Sequence, residues 1–283
     1  MALNINSIFT ATAQRNLMNS NNRLGENLAR ASSGKRINKA ADDAAGLSIA
    51  MQLQADIRSA DQAQRNVSDG ASLTRVAEGG LSEISSLLTR GRELSIQAAN
   101  GTLNDQQRST LNQEITSIKE EVNRITGVTE FNGQKLLDGS LAAGAPEQLS
   151  IQAGIQSTPN DRLSMNVVED SSTAALNIDT VDISTQAGAQ NALASFDNAM
   201  AQVTRNRSNI GSLQNRLDHT ASNLAVQREN LSAANATISD LDYAKETSAI
   251  QRNKILSQAA VSTLRQGQQG QASIIGSLLN IKG

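Results

Sequence analysis

The feature that most constrains the fold is a long heptad repeat in the C-terminal half of the chain. From Phe196 to Leu241, mostly apolar or small residues recur at alternating steps of three and four. This stretch contains no proline and a single glycine, Gly211. As a helix it would be roughly 70 Å long, and so narrow an apolar seam is buried only when partner helices lie along it. The spacing therefore predicts a long helix inside a helical bundle.

Composition favours helices over a wide globular core. Among the 283 residues there are three Phe, one Tyr and no Trp, so few large side chains are available to fill such a core. The two prolines, Pro146 and Pro159, both lie in the middle of the chain. Because proline is the strongest helix breaker, we expect two long helical arms on either side of a short non-helical centre.

Three more helices are expected ahead of that centre. The spacing of apolar residues indicates one helix over Leu17–Ala31 and a second from Leu47 to the stop signal Asn100-Gly101. Asn104, with Gln107 three residues later, has the pattern of a capping box that opens a third helix. These helices are the natural partners of the long seam.

The pattern changes to short strands between about 128 and 168. Asn132-Gly133 is a hairpin dipeptide, and apolar residues alternate over Leu149–Ala153. Residues 169–188 are rich in Ser, Thr, Ala and Asp and are predicted to be a surface loop. The predicted fold is mainly α: a long antiparallel helical bundle or coiled-coil rod with small β-hairpins.

Several functional classes find no support in the sequence. The net charge of −2 comes without a run of Lys or Arg, so we expect no nucleic-acid partner. No apolar run is long enough to cross a membrane, and the absence of Cys excludes disulfides and thiolate metal sites. The lone His219 is interpreted as a surface residue, and Asp42-Asp43 as a helix start rather than a carboxylate pair. We expect no enzyme, no cofactor and no metal.

Both ends of the chain are apolar. Ile5, Ile8 and Phe9 lie near the start, and an apolar series closes the chain over 274–281. Exposed apolar ends favour association, so both are predicted to be buried in an assembly.

Several blocks, taken in chain order, resemble bacterial flagellin over nearly the whole sequence. They are Leu28–Asn38, Ala41–Leu47, Arg92–Gly101, Phe131–Leu137, Asn223-Leu224, Glu229–Leu231, Asp240–Glu246 and Ile274–Leu279. The resemblance implies a structural subunit that polymerises into the bacterial flagellar filament for swimming motility. It also implies export through the flagellar type III channel and an extracellular location.

The resemblance further implies a division of the chain. Residues 1–45 and 236–283 would be the two halves of the inner filament-core domain, with the N- and C-terminal helices paired. Residues 46–235 would form an outer-shell helical rod domain with β-hairpins at about 128–168 and a short surface loop at 169–188. Large outer domains found in many flagellins are missing here, so the chain resembles a minimal flagellin.

Assembly is expected to use apolar residues of both ends and of the long seam. These are Leu17, Leu24, Leu28, Leu213, Leu217, Leu224, Leu231, Ile238, Leu241, Ile255, Leu264 and Leu278. The implied partners are further copies of the chain in a helical homopolymer, a flagellar export chaperone, the filament cap and hook-associated proteins.

The resemblance also points to an immune receptor. In flagellins recognised by toll-like receptor five, an arginine, a leucine and a glutamate carry the contact, and they match Arg90, Leu94 and Glu114 here. A cationic head beside an apolar side chain on one helix face suits a binding hot spot. The alternative is that these three residues serve subunit packing.

Two other functions stay open. A hook–filament junction protein would share the terminal helices, although the blocks at 92–101 and 242–246 favour flagellin. A soluble coiled-coil interaction module is the second alternative, and it predicts a discrete oligomer in place of a filament.

Overall fold

The computed structural model describes residues 2–142, 144, 148–166 and 168–280; the side chains of residues 2–7, 271, 274, 275 and 277–280 are not described. The helices of this part are α1 (Ala2–Ser33), α2 (Ala44–Ala99), α3 (Asp105–Val128), α4 (Gln186–Ser239) and α5 (Tyr243–Asn280). The strands are β1 (Glu130–Phe131), β2 (Gln134–Lys135), β3 (Ser150–Gln152) and β4 (Arg162–Ser164). The predicted mainly α fold with paired terminal helices is confirmed.

The chain divides into two compact units. Unit 1 comprises Met1–Ala55 and Leu231–Gly283, and unit 2 comprises Asp56–Asn230. Unit 1 contains α1 and α5, and unit 2 contains α3 and the four strands. The long helices α2 and α4 contribute residues to both.

In unit 1, α1 and α5 pack closely and run antiparallel. The Ser257 hydroxyl donates a hydrogen bond of 2.9 Å to the Asn21 side-chain oxygen. Further along, Gly267 lies against Thr10, and a Cβ on this glycine would approach the Thr10 methyl to 3.1 Å. Small residues at such positions allow the two backbones to approach each other.

The turn between α1 and α2 is tied to the chain that joins α4 to α5. Lys35 forms an antiparallel β-bridge with Asp240. The Arg36 amide donates to the Ser239 carbonyl at 2.8 Å, and the Arg36 guanidinium donates to the Ile238 carbonyl at 2.8 Å. Since the last carbonyls of a helix have no partner within it, Arg36 caps the end of α4.

Unit 2 has an apolar core shared by α2, α3 and α4. Its buried residues include Leu81, Ile84, Leu88, Ile115, Val122, Phe196, Val203 and Ile210. Three ion pairs link α2 to α4 in antiparallel order: Asp61–Arg228, Glu78–Arg207 and Arg92–Asp197. Each pair is solvent-exposed and contributes little, so apolar burial supplies most of the stability.

The heptad seam of α4 is buried over most of its unit 2 part. Phe196 and Leu224 both face the core, whereas Gln227 beyond them is exposed. The ring of Phe196 packs directly on Gly91 of α2, where a Cβ would lie 2.6 Å from a ring carbon. Glycine at this position therefore makes room for the largest apolar side chain of the core.

The turn between α2 and α3 is fixed by polar side chains. The predicted capping box is confirmed. The backbone N–H of Gln107 donates to the Asn104 side-chain oxygen at 2.8 Å, and the backbone N–H of Asn104 donates to the Gln107 side-chain oxygen at 3.0 Å. The buried Arg108 guanidinium donates to the carbonyls of Ala98 and Asn100 at 2.9 and 3.0 Å. Arg108 thus supplies partners to carbonyls at the end of α2.

Short hairpins occupy the predicted strand region. β1 pairs with β2 through Asn132 and Gly133, whose φ angles of 52° and 79° are those of the predicted tight hairpin turn. β3 pairs with β4 in an antiparallel register that joins Ile151 to Leu163.

The segment 169–188 differs from its prediction as a surface loop, since several of its residues are buried in the core of unit 2. Ser171, Ile178 and Ile183 are fully buried. Lys119 of α3 donates to two carbonyls of the segment, and Asn123 of α3 accepts two hydrogen bonds from Thr173. The polar composition suggested exposure, but small hydroxyl residues are buried at low cost when their hydrogen bonds are satisfied.

Candidate functional site

The terminal helices of unit 1 expose large apolar side chains. On α1 these are Ile8, Phe9, Met18 and Leu28, and on α5 they are Ile255 and Leu256. Ile8 and Ile255 are 65% and 62% exposed. Scattered exposed apolar residues are common on proteins, so it is their number on two paired helices that makes these helices the candidate interaction surface.

The predicted assembly residues of unit 1 occupy different depths. Leu28 and Ile255 are both exposed, at 51% and 62%. Half-buried positions are Leu17, Leu24, Leu231, Ile238, Leu241 and Leu264. The side chain of Leu278 lies outside the described residues. Side chains at the half-buried positions contribute both to packing within the chain and to the apolar surface beside it.

Three predicted assembly residues of the long seam do not lie on a surface. Leu213, Leu217 and Leu224 are buried in the core of unit 2. Their burial indicates packing within the chain, and their role in contacts between subunits stays a prediction. Leu217 lies against Gly70 of α2 beside Ile151 of β3, so other elements of the same chain cover this part of the seam.

An acidic residue organises the turn after α1. The Asp42 carboxylate accepts hydrogen bonds of 3.0 Å from the backbone N–H groups of Asn38 and Lys39. A guanidinium nitrogen of Arg30 lies 3.5 Å from its other oxygen. These amides, followed by the Arg30 charge, lower the pKa of Asp42 below its ordinary value. The next residue, Asp43, accepts from the Gly46 amide at 2.8 Å and caps α2. Both aspartates serve as helix and turn caps, as predicted.

Of the three residues matched to a receptor contact, two are exposed and one is buried. Arg90 and Glu114 form an exposed ion pair of 2.8 Å between α2 and α3, and this hydrogen bond raises the pKa of Arg90. Leu94 is only 1% exposed, so the expected apolar surface group beside Arg90 is absent. Leu94 continues the stripe of α2 that includes Leu88, and this stripe faces the core.

Possible metal ligands do not cluster among the described residues. No group of three or more His, Cys, Asp or Glu side chains among them could bind a metal ion. His219 is exposed on α4, as predicted. None of the helices in the described part has the length and apolar character needed to cross a bilayer.

Sequence reasoning missed part of the exposed apolar surface. Met18, Ile49 and Met51 are all exposed but were not singled out. No local pattern marks them, because the exposure of an apolar residue on a helix depends on which face the partner helix covers.

Comparison with known proteins gives consistent matches. Residues 5–142 match the family model of the bacterial flagellin N-terminal helical region, and residues 193–279 match that of the bacterial flagellin C-terminal helical region. A flagellin of Halalkalibacterium halodurans is 40% identical over 265 residues, covering 91% of this chain and 95% of the relative. A flagellin of Bacillus subtilis is 35% identical over 302 residues, covering 96% and 99% respectively.

Among solved structures, a putative flagellar hook-associated protein from Vibrio parahaemolyticus matches with a TM-score of 0.57. It is 18% identical and covers 70% of this chain and 100% of its own. At this level of identity the two share the fold alone.

Proposed function

The chain belongs to the bacterial flagellin family and is a structural subunit of the extracellular flagellar filament, and we propose that it polymerises through the exposed apolar side chains of α1 and α5. The observation that carries this proposal is the exposure of Phe9, Leu28 and Ile255 on the paired terminal helices. Burying one such side chain between subunits is worth about 1.5–3 kcal/mol. Repeated contacts of this kind between different patches give an open helical polymer.

We further propose the domain division implied by the resemblance. Residues 1–45 and 236–283 form the inner filament core, and residues 46–235 form the outer shell. The separation of the chain into the two units supports this division, although the unit bounds lie several residues away. The outer surface of the filament would then be made by unit 2 itself.

A chain that exposes apolar side chains before it assembles needs other proteins to cover them. We propose that a flagellar export chaperone covers such a surface, and that the filament cap and hook-associated proteins contact the chain at the filament ends. The family is a structural one, and the absence of any catalytic activity is part of the proposal.

The test is assembly of purified full-length chain on filament seeds, followed by negative-stain electron microscopy. Ile255→Glu places a charge on the exposed face of α5 and is expected to abolish elongation. Val128→Glu is the matched control, since Val128 has a similar exposure of 57% at the end of α3. It should leave elongation intact, because the proposal assigns no contact to that residue.

Three results would contradict the proposal. Normal elongation of the Ile255→Glu variant would contradict the proposed contact of α5 with other subunits. A discrete oligomer of the wild-type chain would favour the soluble coiled-coil module. A chain that only joins pre-formed hooks to filaments, without extending either, would favour the hook–filament junction protein.

A second proposed function is binding to toll-like receptor five through the Arg90–Glu114 pair. The observation that favours it is the exposure of both side chains, at 52% and 43%. Arg90→Glu is expected to weaken activation in a receptor reporter assay by about tenfold, the effect of one hot-spot charge. Equal activation by the variant and the wild type would leave the pair with a role in packing alone.

A further inference from the structure

A layer of polar side chains is buried between α1 and α5. Asn27 of α1 and Glu246 of α5 are each 9% exposed, and Asn253 of α5 is 8% exposed. The rest of this contact is made largely by small and apolar residues. Polar groups in such a place are retained only when they find partners there.

Asn27 is the centre of the layer. With its amide oriented by its neighbours, the nitrogen donates to the Glu246 carboxylate at 3.2 Å and to the Arg23 carbonyl at 3.1 Å. Its oxygen accepts from the Asn253 amide at 3.1 Å. The donor and acceptor ends of one side chain are thereby matched to two different residues of the facing helix.

The spacing of these residues ties the layer to one alignment of the helices. Glu246 and Asn253 lie seven residues apart on α5, and Asn27 lies between them. A slip of one heptad in either direction separates Asn27 from one of its two partners. That slip would leave a buried amide or carboxylate without a hydrogen bond, and it would also break the exposed hydrogen bond between Ser257 and Asn21.

We propose that Asn27, Glu246 and Asn253 set the register of α1 against α5. The layer selects one pairing among heptad-shifted ones, and its role is specificity and not added stability. The inference deepens the proposed function, because a filament core made from these helices requires the same register in every subunit.

Disulfide mapping tests the register, since the chain has no cysteine of its own. Asn21→Cys with Ser257→Cys reports the observed register, and Gln14→Cys with Ser257→Cys reports a shift of one heptad. In an otherwise wild-type chain, the first pair is expected to cross-link about ten times more than the second. Replacing all three layer residues by Leu should make the two yields similar while far-UV circular dichroism stays helical.

The matched control replaces three exposed polar residues of the same helices, Asn22, Glu26 and Gln251, by Leu. This control should keep the preference for the first pair. An unchanged preference in the variant that lacks the layer, or no cross-link of the first pair in the wild-type chain, would overturn the inference.

Filament growth is measured separately on cysteine-free chains. A wild-type chain that shows the register preference but forms no filament would contradict the proposed function and leave the register inference standing. Filaments of undiminished yield and order from a chain with mixed registers would show that assembly does not depend on the layer.

Discussion

At the scale of single residues, one glycine of α2 is decisive for packing and another is not. A Cβ at Gly91 would lie 2.6 Å from the Phe196 ring, whereas a Cβ at Gly79 would meet nothing within 4 Å. We expect Gly91→Ala to destabilise unit 2 by about 1–2 kcal/mol, since overpacking outweighs the gain in helix propensity. Gly79→Ala should stabilise it by up to about 1 kcal/mol. Chemical denaturation of both variants measures the difference, and equal effects would contradict the role of Phe196.

A single carboxylate makes the turn after α1 sensitive to acid. The backbone amides of Asn38 and Lys39 lower the pKa of Asp42 below its ordinary value, so its ionised form is favoured in the folded chain. The stabilisation is therefore fully present above the unfolded pKa of about 4 and is lost as the pH falls through the lower folded value.

Asp42→Asn should accordingly lower the melting temperature at pH 7 and lose this effect toward pH 3. Thermal unfolding followed by circular dichroism at both pH values checks the prediction. Asp218→Asn is the control, because Asp218 is exposed on α4. If the melting temperature of the Asp42→Asn variant stays equally far below that of the wild type at pH 3, the charge of Asp42 is not the cause.

At the scale of elements, α3 holds the segment that precedes α4. The Asn123 side chain accepts from the Thr173 amide and hydroxyl at 3.0 Å each. Replacing Asn123 by Leu leaves a backbone donor without its partner, at a cost of about 1–3 kcal/mol. We expect faster cleavage by thermolysin at Leu176 or Ile178, measured by mass spectrometry. Gln113→Leu on the exposed side of α3 should leave the cleavage rate unchanged.

Element ends were the part of the fold most accessible to sequence reasoning. The capping box at Asn104 and the hairpin turn at Asn132-Gly133 depend on residues within a few positions, so local patterns identified them. The burial of residues 171–183 was missed because it depends on Lys119 and Asn123, which lie some 50–60 positions earlier in the chain.

At the scale of the whole molecule, the two terminal helices depend on each other. An isolated helix with several glycines, such as α5 with Gly267 and Gly270, is marginal in water. We therefore expect deletion of the 32 residues of α1 to remove more helical signal than those residues account for, because α5 also unfolds. The transition of unit 2 should persist in thermal scans. A loss limited to the deleted residues would show that α5 is stable alone.

The sequence by itself determined most of the helices, several of their ends and the hairpins, although α1 begins at Ala2 and not at the predicted Leu17. The pairing of the two terminal arms was implied by the flagellin-like blocks. Periodicity and capping residues carry that information locally, and the flagellin-like blocks added the family. Only the tertiary structure decided which apolar side chains are available to other subunits: Leu28 and Ile255 are exposed, while Leu94 and Leu213 are buried. The physical reason is that a heptad pattern specifies an apolar face but not the helix that covers it. Whether that helix comes from the same chain or from another copy depends on long-range packing.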